Sequence, residues 1–433
     1  MIIKQKFKRV LFLWRSAGLS PAELFLVVVN KIIFFVSHWS FYFKNIVTGK
    51  DPKVFYSYRR HLKGPVKGRA LLAFLVEPIY KEHFLGKVKY YFSNNGAPLC
   101  VMRALNELGY IVDVIDYRYF DFKPQESYDL FFFHQYEIYD ALIPKLNKNI
   151  TTIEFETTAY WKPMVERIRQ RLEYFKQRHN IILPEGEYNH FLWMEKQQEV
   201  VDRVSLASGG IIVMGDQLAG SFKELVNPQV KLIKSAVYKD TKFKKDLSLQ
   251  NLEAGRKKFF FFGGGTDVMR KGLDILLDAI IGSEYELYMC INLPPLFEQI
   301  FQISKQKNIH NLGYLKVGSK KFYEVINSCN YIIQPSAAEG VPGGVLETMK
   351  YGLIPIVSKE CNIPEAEKCG YLFPQVTVEE IKKAMEVVSG LPVEILRQKA
   401  LETVQTVSTV YSPEAFTGDL KEAIIDIIKA KGL

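Results

Sequence analysis

Runs that are apolar at every position alternate with stretches of helical period along most of the chain. LLAFLV (71–76) is followed by a segment with Leu99, Met102, Leu105 and Leu108 on one helical face (98–109). Then come YIVDVIDY (110–117), DLFFFH (129–134), TTIEFE (151–156), GGIIVMG (209–215) and VKLIKSA (230–236). Strands without alternation are buried on both faces, so the pattern predicts a parallel sheet covered by helices on both sides. A hydrophilic stretch, 238–258, interrupts it. The alternation restarts at FFFFGGG (259–265) and continues through a helix at 273–281, ELYMCIN (286–292), a helix at 297–305, NYIIQPS (330–336) and GLIPIVS (352–358). The expected fold class is α/β, with two Rossmann-like, doubly wound parallel-sheet domains and a boundary near 240–256. Ligands of such sheets bind beyond the carboxyl ends of the strands, and two facing sheets would enclose a cleft.

The 433 residues suit two to three domains, and 48% hydrophobic with 24% charged residues excludes a disordered or fibrous chain. The five cysteines form no C-x-x-C pair, which argues against a zinc module or a disulfide scaffold and favours a reducing compartment. Net charge is +10, but residues 1–69 hold fourteen Lys and Arg against Glu23 and Asp51, a net +12 that leaves −2 for the rest. A nucleic-acid binder would not confine its basic excess to one end. The apolar stretch 10–14 is too short for a signal peptide. The stretch 24–43, LFLVVVNKIIFFVSHWSFYF, has the length of a membrane span but is broken by Asn30, Lys31 and His38. With Trp39, Tyr42 and flanking lysines it suits a helix lying in a membrane interface, and a helix of the soluble core with a basic flank is the plainer reading.

The segment richest in chemistry is SAAEGVPGGVLETMKYGLIPIVS (336–358). A strand ends at Pro335-Ser336, a Gly/Pro-rich loop follows, and a helix starts near Gly344. Glu339 and Glu347, separated by seven residues, fall in the loop and in the first helical turn. Amides at a helix start carry the positive end of its dipole, so Gly343, Gly344 and Val345 suit a diphosphate. Glu347 suits the two hydroxyls of a ribose, and Glu339 suits a sugar and the positive charge that develops at an anomeric carbon. Taken alone, two glutamates at this spacing arise often by chance.

This stretch resembles the donor motif of retaining GT-B glycosyltransferases of family 4, P-S-x-x-E-G-F-G-x-x-x-L-E-A-M-A-x-G-x-P-V-V-x-S. The match covers Pro335, Ser336, Glu339, Gly340, Leu346, Glu347, Met349, Gly352, Pro355, Val357 and Ser358, with Pro342 in place of a glycine. The resemblance extends in order over most of 93–425. GGGTDVMRKGLDILLDAI (263–280) is similar to the family's phosphate-binding segment, which puts Lys271 on the lysine that neutralises the diphosphate. Arg270 lies beside it, and Gly265 stands where the family has arginine. HNLGYL (310–315) resembles the loop whose backbone reads the nucleobase, through Gly313 and Tyr314. VKLIKSAVYKDTKF (230–243) resembles the interdomain segment with Ser235-Ala236 replacing Asn-Gly, and YSPEAF (411–416) the start of a helix that crosses back to the N-terminal domain. The implied organisation is a basic hydrophobic segment (1–68), an acceptor domain (69–243, with 412–433 returning to it) and a nucleotide-sugar domain (244–411).

In the N-terminal half the same resemblance places Gly96 in a loop near the donor phosphates and acceptor. It places His134 at a strand end, and Glu156 where relatives have a histidine near the reacting sugar. A carboxylate at that point suits a proton acceptor or a ligand of acceptor hydroxyls; a structural polar group at a strand end reads equally well. The helix 165–178, with Arg167, Arg169, Arg171, Lys176 and Arg178, is basic and amphipathic, as in members that reach lipid-linked acceptors, and a solvated face is the plainer reading. No D-x-D pair, HExxH, Walker lysine loop or G-x-S-x-G elbow is present.

The resemblance implies a metal-independent retaining glycosyltransferase without a resident cofactor. It would take a UDP- or GDP-linked sugar and a glycan or lipid-linked acceptor in envelope polysaccharide synthesis, at the cytoplasmic face of a membrane. Two other readings share the fold: a scaffold that has lost catalysis and a sugar-nucleotide epimerase.

Overall fold

The computed structural model describes residues 21–85, 93–184, 195–215, 220–222, 225, 229–238, 240, 243–263 and 267–431. The basic start of the chain (1–20) and Gly265 lie outside the described residues. The chain forms two compact units, one made of Val28–Tyr160, Lys196–Tyr238 and the C-terminal segment from Tyr411, the other of Trp161–Glu195 and Lys239–Val410.

The first unit is built on a seven-stranded sheet of order β1-β3-β2-β4-β5-β6-β7. Its strands are β1 (Phe55–Tyr58), β2 (Gly68–Phe74), β3 (Tyr110–Asp116), β4 (Leu130–Phe133), β5 (Thr151–Glu156), β6 (Gly210–Met214) and β7 (Val230–Ile233). All neighbours pair in parallel except β1, an antiparallel edge strand beside β3. The apolar runs explain the central strands: every residue of β4 and β5 is buried. The helix Pro413–Ala430 lays Phe416, Leu420, Ile424 and Ile427 into this core, and its Lys421 binds Glu107 at 2.8 Å.

The helix Pro21–Val47 is two-faced. Phe34 and Phe41 pack on the sheet core, the Phe41 ring 4.5 Å from Phe55. Ser37 donates to Tyr80 O at 2.7 Å, and Asn45 donates to Val54 O at 2.7 Å. The opposite face exposes Phe25, Val28, Ile32, Phe35, Trp39, Phe43 and Ile46, a stripe at helical spacing. Residues 28–68 are therefore part of the N-terminal unit rather than a separate segment. Among the described residues no helix is long and apolar enough to cross a membrane.

The second unit holds a six-stranded, all-parallel sheet of order β10-β9-β8-β11-β12-β13. The strands are β8 (Lys258–Phe261), β9 (Glu286–Met289), β10 (Ile309–Asn311), β11 (Tyr331–Gln334), β12 (Ile354–Ser358) and β13 (Tyr371–Phe373). The core gathers Phe259, Phe261, Leu276, Ile280, Leu287, Ile333 and Ile356. The helix Trp161–His179, assigned from sequence to the acceptor domain and to a membrane face, belongs here instead. Phe175 enters the core, and Arg171 and Arg178 converge on the fully buried Asp274, at 3.5 and 2.5 Å; Arg178 and His179 also bind Asp278. These arginines are committed to ion pairs inside the unit and cannot serve a lipid surface. All five cysteines are unpaired and buried: Cys100 in the first unit, and Cys290, Cys329, Cys361 and Cys369 in the second.

Removing one partner of a buried ion pair costs about 3–5 kcal/mol, because a charge is left without its counter-ion. Asp274→Ala, which strands Arg171 and Arg178, is expected to lower unfolding free energy by about that amount in urea titrations. A loss below about 1 kcal/mol, the range of exposed pairs, would contradict the clamp.

Candidate functional site

In the second unit Gly272 ends the turn 268–272 at φ +77°. A Cβ there would sit 2.0 Å from Pro335 O, so only glycine lets the turn rest on the end of β11. The contact is fastened by Ala337 N donating to Arg270 O at 2.7 Å and by Arg270 Nη1 donating to Ala338 O at 2.8 Å. Arg270 and Lys271 are thereby brought to the carboxyl end of β11. Arg270 Nη1 lies 2.5 Å from Glu339 Oε2, and Lys271 Nζ lies 3.5 Å from Oε1.

Three residues proposed from sequence thus meet in one cluster. Gln334 adds a hydrogen bond to Glu339 Oε1 at 3.1 Å, and Asn362 holds the Glu339 loop by donating to Gly340 O at 2.9 Å. Burial pushes the Glu339 carboxyl up, but Arg270 and Lys271 pull it below the ordinary carboxylate range. Burial disfavours the Arg270 charge, and Glu339 and Asp267 more than compensate.

The helix Gly343–Met349 begins beside this cluster. Gly344 packs so closely that a Cβ would lie 2.7 Å from Phe262 O. The amides of Gly343 and Gly344 open the helix, where intrahelical acceptors are missing. The Val345 amide, also expected to hold phosphate, already donates to Pro342 O at 3.0 Å. Glu347 is only 3% exposed and pairs with Lys350 at 2.5 Å, a partner not foreseen from sequence. The signal was present, because lysine stands where the family pattern has alanine. Burial raises the Glu347 carboxyl to about 7. At the sheet edge, Gly313 adopts φ +62° with its N–H held by Asn311 Oδ1, and Tyr314 is exposed. The former arginine position, Gly265, lies outside the described residues.

The first unit departs further from expectation. A Cβ on Gly96 would lie 2.1 Å from the Tyr238 ring, so the space left by this glycine is taken by a tyrosine. His134 ends β4 with Nδ1 2.8 Å from Phe155 O, and burial lowers its pKa. The next residue, Gln135, has φ +83°, an uncommon conformation for a side-chain-bearing residue. Glu156 closes β5 and shares its face with Glu154, two residues earlier and fully buried. Around them stand Tyr136, Tyr139, Ser205, Ser208 and Thr158, and Ser205 donates to Glu154 Oε1 at 3.2 Å. Burial, and for Glu156 also the neighbouring carboxylate, raise both groups, Glu154 to about 7 and Glu156 well above its usual value. Burial and the neighbouring carboxylate thus both oppose ionisation of Glu156, the residue expected from sequence to accept a proton or bind acceptor hydroxyls.

Acids held protonated in the fold stabilise it fully below their unfolded pKa, and that stability is lost as pH rises through the folded value. The window here runs from about 4.5 to about 7 and beyond. Glu154→Gln is expected to remove part of this slope, so that the melting temperature of the variant falls less than that of the parent between pH 5 and 8. Parallel curves would contradict the upward shift of Glu154.

Residues 256–389 match the family model of glycosyl transferases group 1. Among curated protein sequences none matches this chain. The sucrose-phosphate synthase of Thermosynechococcus elongatus is similar in structure, at a TM-score of 0.56 and 14% identity over 85% of this chain and all of that one. HepE of Anabaena, solved with UDP-glucose, gives 0.52 and 12% over 83% of this chain and all of HepE. WaaG, a glycosyltransferase involved in lipopolysaccharide biosynthesis, gives 0.50 and 12% over 82% of this chain and 98% of WaaG. The protein accordingly has the GT-B fold, and its residues 256–389 are similar to glycosyl transferases group 1.

Proposed function

We propose that this glycosyltransferase moves a sugar, with retention, from a nucleoside diphosphate sugar to a glycan or lipid-linked acceptor. The observation that carries the reading is the convergence of Arg270, Lys271 and Glu339 at one strand end, inside the segment that matches the family model. Two cations fixed by backbone contacts supply positive charge where the diphosphate leaves, the largest single contribution such a site makes. A diphosphate arriving at Arg270 and Lys271 competes with Glu339 for them. Its binding frees the Glu339 carboxylate to hold sugar hydroxyls and to offset positive charge at the anomeric carbon. Glu347 holds the ribose, the Gly343 and Gly344 amides approach the phosphates, and the backbone at Gly313 and Tyr314 meets the base. His134 and Glu156 belong to the acceptor side. The arginine and lysine take the part a divalent ion would play, so the reaction needs no resident metal. HepE, solved with UDP-glucose, and WaaG, with its part in lipopolysaccharide biosynthesis, favour a UDP-linked donor and an envelope glycan.

We further propose that the protein works on the cytoplasmic face of a membrane, held by the helix Pro21–Val47. Its exposed stripe carries Phe25, Phe35, Trp39 and Phe43, with Lys31 and Lys44 exposed beside it. An apolar face with an aromatic and basic border is the composition of a helix that lies in the headgroup region. The basic excess of residues 1–69 adds attraction to anionic lipid.

Binding, transfer and flotation measurements test these roles. UDP, GDP and their sugars should raise the melting temperature by mass action. Lys271→Ala should lower turnover by about 10²–10³-fold. Glu347→Ala should weaken nucleotide binding by about 10- to 100-fold, the worth of hydrogen bonds to a charged group. Added EDTA should leave transfer unchanged. Absence of both nucleotide binding and sugar transfer in the parent protein would refute the assignment. In flotation assays the protein should bind vesicles containing phosphatidylglycerol more than phosphatidylcholine alone, and Phe35→Glu with Phe43→Glu should release it. Equal binding by that variant would refute the helix as anchor.

A further inference from the structure

Lys350 and Glu347 stand one helical turn apart, with 6% and 4% of their side chains exposed and 2.5 Å between Nζ and Oε1. Apart from this ion pair, neither buried carboxylate oxygen has a hydrogen-bond partner among the described residues. A carboxylate so enclosed takes up a proton unless a counter-ion opposes it. We infer that Lys350 is a positioning residue for the nucleotide, its ammonium keeping Glu347 ionised and oriented so that both hydroxyls of a ribose diol can be accepted. The inference rests on the reading of Glu347 as the ribose ligand.

The surroundings support this division of labour. An ionised carboxylate offers about four acceptor positions. Lys350 occupies one, which leaves enough for the two donors of a vicinal diol. The ammonium is itself steadied over the Tyr351 ring, 5.0 Å from its centroid. The other groups facing Glu347 work against ionisation: Asp240, which accepts from Tyr351 at 2.7 Å and from Tyr323 at 2.6 Å, raises its pKa further. Burial with this second carboxylate holds the group near 7 even with Lys350 in place. The lysine is thus the counter-ion on which the charge of Glu347 depends. Alanine, the residue of the family pattern at this position, could not act in this way.

The experiment compares the full-length protein with Lys350→Met, Lys350→Gln and Lys350→Arg by calorimetric titration of UDP and GDP at several pH values. Each unit of pKa rise costs about tenfold in the ionised fraction below the pKa. Lys350→Met and Lys350→Gln should therefore bind nucleotide about tenfold more weakly at pH 7. That deficit should shrink as pH rises toward 9, and Lys350→Arg should recover most of the affinity. A readout without ligand accompanies it: at pH 8, Lys350→Met should show an infrared carboxylic-acid band that is absent from the parent and from Lys350→Met combined with Glu347→Gln. Unchanged affinity, a deficit equal at every pH, or no such band would overturn the inference. Should the parent bind no nucleotide, the assignment of the donor site falls, while the infrared band still decides the role of Lys350.

Discussion

The contact between Gly272 and Pro335 O is the constraint on which the cluster depends. The turn 268–272 must lie directly on the end of β11, with no room for a single extra carbon. The hydrogen bonds between residues 270 and 337–338 then fix the backbone that presents two cations. Side chains as long as arginine and lysine lose much conformational freedom when held. Here most of that loss is met during folding by packing and backbone pairing, so a charged ligand finds the cations already assembled. Preorganisation of this kind is what makes fixed charges effective in a site with little water.

Buried acids are handled in opposite ways at two places, one in each unit. In the second, Asp274, Glu339 and Glu347 each have a cation within 4 Å, and charge is kept inside the fold by pairing. In the first, Glu154 and Glu156 share a face of β5 whose described neighbours are tyrosines, serines and a threonine, and burial pushes both carboxyls toward the neutral form instead. The former arrangement suits recognition of an anion through displacement of an internal carboxylate. The latter suits hydrogen bonding to neutral hydroxyls.

Much of the fold was legible because a strand buried on both faces writes itself as an unbroken apolar run. LFFF and TTIEFE lie in the middle of a sheet and were readable for that reason. β1 was not, since an antiparallel edge strand half open to solvent has the mixed composition of FYSY. The helix Trp161–His179 misled for a related reason: its arginines have the spacing of a solvated or membrane face, and only the three-dimensional fold brings Asp274 and Asp278, about a hundred residues later, against them. In the site, Arg270, Lys271 and Glu339 were found through a local motif. Gly96 shows the limit of that route, because the residue is where the motif puts it but Tyr238, distant in sequence, has taken the space. Lys350 and Glu154 were open to detection by spacing alone, one turn from Glu347 and two strand positions from Glu156.

The placement of the cysteines gives the molecule an internal gauge of its own opening. Every thiol is enclosed, and burial pushes each one up, away from the reactive thiolate. An alkylating reagent therefore meets sulfur only when a unit loosens. Because Cys100 alone reports on the N-terminal sheet and four others report on the C-terminal one, peptide mapping after a brief pulse would reveal which half breathes first.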